Sequence, residues 1–191
     1  TLHIGLTPSS VSIMSDYLVR FASKYSDIHF DIHEGSTFAL KNELENGLVD
    51  ITTLRTPIVL NECNTCVLLQ ENLVAMAIPG FFDIEYTNIS LKELSQKSLI
   101  LSHRYRKYII SAFEDNGLTC DIYCECEDAR TAITLAEHGL GVAILPSSMR
   151  ELNPCLYAYS IKDTNLSTEI LLAWRDERIP IEVEKFLSEL K

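Results

Sequence analysis

The chain has 191 residues, 47% of them hydrophobic, with 16 basic against 27 acidic side chains and a formal net charge of -11. That apolar content is ample for a core and excludes a disordered chain, and the length suits one large domain or two small lobes. The negative balance repels a phosphate backbone, so nucleic-acid binding through a general field is excluded, and any anion must be captured locally by backbone dipoles and a few placed cations.

Leu2–Leu6 alternates as a strand, and its position at the very start implies an upstream domain that is missing. Residues 10–25 read as a helix with Ile13, Met14, Tyr17, Leu18, Phe21 and Tyr25 on one stripe. Residues 28–33 alternate again, with Ile28, Phe30 and Ile32 inward and His29 and His33 on the solvated face. Ser36 opens a second helix that ends near Gly47, and residues 48–54 and 73–78 are apolar strands, the latter broken by Pro79-Gly80. The pattern then restarts. A short capped helix from Ser90 precedes a strand at 98–101, a helix at 105–116 closed by Gly117, and a strand at 120–126. A helix at 128–138, strands at 141–145, 156–161 and 169–174, and a terminal helix opened by Pro180 complete the chain. This alternation predicts parallel sheet covered by helices.

Ser36 and Gly47-Leu48 are echoed by Asp128 and Gly139-Leu140, so a helix-Gly-Leu-strand unit occurs once in each half. With the break at Pro79, the echo predicts two similar α/β lobes: 1–78 and 158–191 in the first, 79–157 in the second. Two connecting strands would then act as a hinge, and ligands would bind at the carboxyl ends of strands, in the cleft.

The six cysteines do not form an obvious framework. Cys120, Ile122, Cys124 and Cys126 are expected on one face of a strand, about 6.5 Å apart along the chain, as small core plugs. Cys63 and Cys66 have zinc-knuckle spacing, but no second CxxC or HxxxH completes four ligands. Free thiols favour a reducing, cytoplasmic compartment. No apolar run approaches the roughly 18 residues of a membrane span, and no signal peptide opens the sequence.

A serine hydrolase needs a base near Ser9 or Ser10. No GxSxG elbow occurs there or at Ser147-Ser148. His29 and His33, about 13 Å apart on a strand, are too far apart to share a metal ion. His3 alternates outward, His138 sits in the last turn of a helix, and only His103, past a strand end, lies where a ligand would. The "GLG" at 139–141 follows a helix rather than preceding one, so no phosphate loop is present. No catalytic set, metal site or cofactor motif is assembled. What remains is a repeated pairing of hydroxyls with helix starts: Ser9 and Ser10, Ser36 and Thr37, and Ser102. Plain N-capping is one reading of each. Converging on one crevice, such starts would make an anion site, to which Arg55, Arg104, Arg106, Lys107 and Arg130 can add charge.

The stretches "LHIGLTPSSVSIMSDYLVRFASKYSDIHFDIHEGST", "ALKNELENGLVDITTLR", "AEHGLGVAILPSSM" and "LLAWR" resemble the effector-binding domain of LysR-type transcriptional regulators, in order and over essentially the whole chain. The resemblance implies two Rossmann-like α/β lobes joined by two crossover strands, similar to periplasmic binding proteins. It also implies a non-enzymatic sensor that binds a small molecule, often a carboxylate, between the lobes. Family contacts fall on Thr7, Ser9 and Ser10, on Ser36 and Thr37, on Ser102, His103 and Arg104, and on Ala129 and Arg130; Arg55 joins them by its position after a strand. The family's winged helix-turn-helix is missing from this chain, so promoter DNA would be reached only through that domain. "LSHRYRKY" lacks the cysteine of peroxide-sensing relatives. A homodimer or tetramer is implied, and Val19 and Ile110, off the inward stripes of their helices, are candidates for its surface. The rival readings are an exported solute-binding protein of the same architecture and a hydrolase using Ser9 or Cys63.

Overall fold

Apolar periodicity becomes regular structure throughout the computed structural model, which describes residues 1–83, 85–176 and 179–190. In chain order the elements are β1 (Leu2–Leu6), a 3-10 turn (Pro8–Ser10), α1 (Val11–Lys24), β2 (Phe30–Glu34), α2 (Thr37–Glu45), β3 (Ile51–Arg55) and β4 (Cys63–Ala77). There follow β5 (Asn88–Ile89), α3 (Leu91–Leu94), β6 (Ser98–Ser102), α4 (Arg106–Asp115), β7 (Asp121–Cys126), α5 (Ala129–Glu137) and β8 (Val142–Pro146). The chain ends with β9 (Tyr157–Ile161), β10 (Ser167–Arg175) and α6 (Ile181–Ser188). Two compact units result, Thr1–Gln70 with Glu169–Lys191, and Glu71–Thr168. The chain changes unit inside β4 and again inside β10. The sequence breaks at 78/79 and 157/158 mark strand ends instead, because a strand that runs on leaves no break in its apolar pattern.

In the first unit the strand order is β2-β1-β3-β10, followed by the start of β4. β1 runs parallel to β2 and β3, whereas β10 is antiparallel to β3. Leu2, Ile4 and Leu6 point to one face, where Met14 and Phe21 of α1 and Val183 and Phe186 of α6 cover them. Each such side chain contributes about 1.5–3 kcal/mol by leaving water. Leu40 and Leu44 of α2 cover the other face against Leu54 and Ala173. Gly5 lies on that second face, where an added Cβ would collide with Thr52 Oγ1 and sit 2.9 Å from Thr52 Cβ. His33 pairs in register with Gly5 and is half-buried there, its Nδ1 2.7 Å from Glu43 Oε2 of α2, rather than solvated. Ile32, expected inward, is 41% exposed.

In the second unit the order is β5-β9-β4-β8-β6-β7, with β6 parallel to both β7 and β8, and β4 antiparallel to β8. α3 and α4 cover one face, on Leu99, Leu101, Val142 and Ile144; α5 covers the other, on Ile100, Ala143 and Leu145. α3 opens with a reciprocal capping box: Ser90 Oγ accepts from the Glu93 amide at 3.2 Å while Glu93 Oε2 accepts from the Ser90 amide at 2.7 Å.

The helix-Gly-Leu echo is a shared cap. Gly47 and Gly139 both have positive φ (72° and 79°), and the next leucine returns its amide to the helix, Leu48 to Glu43 O at 2.9 Å and Leu140 to Leu135 O at 3.1 Å. In the first unit Arg175 Nη1 also donates to Leu44 O at 2.8 Å, closing the helix end.

Two expectations change. The strand expected from residue 73 already begins at Cys63, because Asn64, Thr65, Gln70, Glu71 and Asn72 interrupt its apolar alternation. The four residues expected on one face of β7 divide two and two. Leu99 faces Ile122 but Ile100 faces Cys124, so Tyr123 is an extra residue in a bulge. Such a bulge reverses the alternation. Cys120 and Ile122 therefore pack on the α4 side, Cys124 and Cys126 on the α5 side.

Candidate functional site

In the first unit the parallel strands β1 and β3 end where α1 and α2 begin, and the expected hydroxyls gather there. Thr7 donates its amide to Thr53 Oγ1 at 3.0 Å and its hydroxyl to Ser10 Oγ at 3.1 Å; Ser10 Oγ in turn donates to Thr7 O at 2.8 Å. Ser10 and Thr53 are fully buried and Thr7 nearly so, so these groups brace the loop after β1 from inside. Ser9, half-buried, accepts from Arg55 Nε at 3.1 Å. The Arg55 amide donates to Thr37 Oγ1 at 3.2 Å, and exposed Ser36 caps α2 by accepting from Ala39 N at 3.2 Å. Arg55 itself is 4% exposed. Arg55 at the end of β3 is thus joined to two helix starts, by its guanidinium to Ser9 and by its backbone amide to Thr37. Thr53 is the group that sequence reasoning missed; the signal was a pair of hydroxyls, "ITTLR", in a strand buried at every position.

In the second unit β6 and β7 end beside the starts of α4 and α5. Ser102 pairs in register with Cys126, whose thiol donates to Leu101 O at 3.7 Å and to Asp128 O at 3.5 Å, tying the two strand ends to the entry of α5. Burial pushes that thiol's pKa up, which suits a packed neutral group rather than a thiolate. Ser102 is buried, Arg104 and Ala129 are half-buried, and His103 and Arg130 are exposed. Arg130 is held by the cap of its own helix, donating from Nε and Nη2 to Asp128 Oδ2 at 3.1 and 2.8 Å. That contact keeps the Asp128 carboxyl below its ordinary range. Arg106 and His103 likewise both approach Glu125, at 2.9 and 3.2 Å, and hold its pKa down, Arg106 most. Asp128 and Glu125 were not foreseen as partners of these cations.

The hydrolase reading finds no support in these bonds. Ser9 is bound by a guanidinium and Ser10 by a carbonyl and threonine, while the bonded histidines face Asp50, Glu43, Glu125 and a helix carbonyl. Cys63 and Cys66 pack on opposite faces of the sheet, in different cores, and burial raises both thiols. Among the described residues no group of three or more His, Cys, Asp or Glu is placed to hold a metal ion, and no helix is long and apolar enough to cross a membrane.

A family model described as the LysR substrate binding domain matches residues 1–191. The chain belongs to the LysR substrate-binding domain family. Among its relatives are the HTH-type transcriptional regulator CatR of Pseudomonas putida, 24% identical over 98% of this chain and 66% of CatR, and the uncharacterized HTH-type transcriptional regulator YnfL of Escherichia coli, 28% identical over 91% and 61%. The chain therefore spans about two-thirds of the length of these relatives, which are regulators rather than enzymes. Among solved structures, the effector-binding domain of QuiR in complex with shikimate matches with a TM-score of 0.87 at 19% identity, covering 99% of this chain and 94% of that one. The fold is accordingly that of the LysR effector-binding domains, similar to periplasmic binding proteins.

Proposed function

We propose that this LysR-family chain is the effector-sensing part of a cytoplasmic transcription regulator that binds a small carboxylate or related anion. The contacts proposed are Ser9, Ser36, Thr37 and Arg55 in the first unit and Ser102, His103, Arg104, Ala129 and Arg130 in the second, with Thr7 and Ser10 shaping the loop after β1 from behind. The observation that carries the reading is Arg55, a buried arginine whose guanidinium bonds the Ser9 hydroxyl at one helix start and whose amide bonds the Thr37 hydroxyl at another. An anion arriving there exchanges hydration for charge-assisted bonds to donors that are already positioned. In the second unit Arg130 is paired with Asp128, and the neighbouring Arg106 with Glu125. Selectivity for a negative group is therefore assigned to Arg55. Domain pairing into a homodimer or tetramer would present the bound state to promoter DNA through a helix-turn-helix domain. Val19, 70% exposed on α1, suits that pairing better than half-buried Ile110.

Calorimetric titration with shikimate and benzoate tests the assignment. Arg55→Lys, which loses the planar donor set, and Ser9→Ala are expected to weaken the bound carboxylate about 10-fold or more, since charged hydrogen bonds contribute about 1.5–3 kcal/mol. Equal affinities in wild type and both variants would remove Arg55 and Ser9 from the site.

A further inference from the structure

Phe38 is 52% exposed in the first turn of α2, directly after the Thr37 whose hydroxyl bonds the Arg55 amide. The contacts of α2 fix which way that ring faces. Thr37, Leu40 and Leu44 form the buried stripe on the sheet. At about 100° per residue, Glu43 lies to one side of the stripe and Phe38, Lys41 and Glu45 to the other. Glu43 bonds His33 of β2, at the outer edge of the order β2-β1-β3-β10, so the Phe38 side lies over β3 and beyond. Two contacts agree. Lys41 Nζ is 3.5 Å from Glu45 Oε1 along that side, and both charges reach Cys63 at the start of β4. Burial first, and then Glu45, raise that thiol, with Arg175 and Lys41 opposing. β3 ends at Arg55, and helix side chains lean toward the N-terminus of their helix. The ring of Phe38 therefore stands on the Arg55 side of the start of α2.

We propose that Phe38 sets the ligand class of this site: an aromatic carboxylate, with its charged group on Arg55 and Ser9 and its ring against Phe38. The proposal rests on the effector reading above and narrows it. A single exposed apolar side chain is ordinary on a protein surface. Phe38 differs by its place, beside a buried arginine, in a helix turn that holds no acidic residue. Leu40 and Leu44, both fully buried, already seat α2 on the sheet, so the helix does not depend on Phe38 for its anchorage. A planar ring laid on Phe38 removes apolar surface from water and adds the edge and face attraction of two π systems. A ring bearing hydroxyl groups gives up hydration there and receives no hydrogen bond in return. Arg55 thus selects the charge and Phe38 the rest of the molecule.

Calorimetric titration with benzoate and cyclohexanecarboxylate tests this, because the two share a carboxylate and a six-membered ring and differ in the π face. The wild type is expected to prefer benzoate by about 2- to 13-fold, the range of an aromatic pair beyond its area. Phe38→Ala and Phe38→Leu should abolish that preference, and Phe38→Tyr should keep it. Equal affinity of the wild type for both acids overturns the proposal, as does no binding of benzoate at millimolar concentration. So does an unchanged preference in Phe38→Ala, or an equal loss for both acids in Phe38→Leu, which would mark the ring as packing alone. Failure of the Arg55 assignment is distinguishable. Arg55→Lys would then leave benzoate affinity unchanged, while the preference would still follow residue 38.

Discussion

Thr53 shows how one side chain sets a loop. Its hydroxyl accepts the Thr7 amide and bonds Ser10, with all three residues buried from solvent. Thr53→Val keeps the shape and leaves a buried amide unpaired, so urea denaturation should show a loss of about 1–3 kcal/mol. Gly5 is the companion case: Gly5→Ala drives a methyl into Thr52 on a packed sheet face, and the same experiment should show a loss of about 1–3 kcal/mol from overpacking. Neither role was legible in the sequence, because both depend on which strand lies beside β1. What was legible was the set of hydroxyls, Ser9, Ser36 and Thr37, standing where strands turn into helices. Their division into internal braces and outward groups was not, since Ser9 and Ser10 are identical in type and differ only in direction.

At the level of elements, local rules carried furthest where the signal is local. Ser90 and Glu93 form the box that their spacing advertises, and Ser90→Ala should cost about 1 kcal/mol by thermal denaturation. Glu93's bonds from Ser90 hold its carboxyl below the ordinary glutamate range. Its stabilisation is therefore complete above the unfolded-state value, about 4.3, and is lost as pH falls through the lower folded-state value. Glu93→Gln should accordingly lower stability near neutrality and flatten the acid limb, the variant and the wild type converging at low pH; an unchanged acid limb would contradict this. Strand β7 is the counterexample. Its alternation looks regular, yet the bulge at Tyr123 is set by pairing with β6 and sends Cys124 and Cys126 to the core opposite Cys120 and Ile122. Pairing registers are not written in one strand alone.

For the whole molecule, two α/β units were legible because the same cap, Gly47-Leu48 and Gly139-Leu140, recurs before strands β3 and β8. The places where the chain passes between units were not, as β4 and β10 continue through them without a turn residue. The account's central claim is that the donors around Arg55 hold a carboxylate guest. Amide chemical-shift mapping during titration with shikimate and benzoate tests it most directly. The account predicts that Ser9, Thr37 and Arg55 shift together, with one shared saturation curve. Shifts that leave these three residues unmoved and fall elsewhere would contradict it.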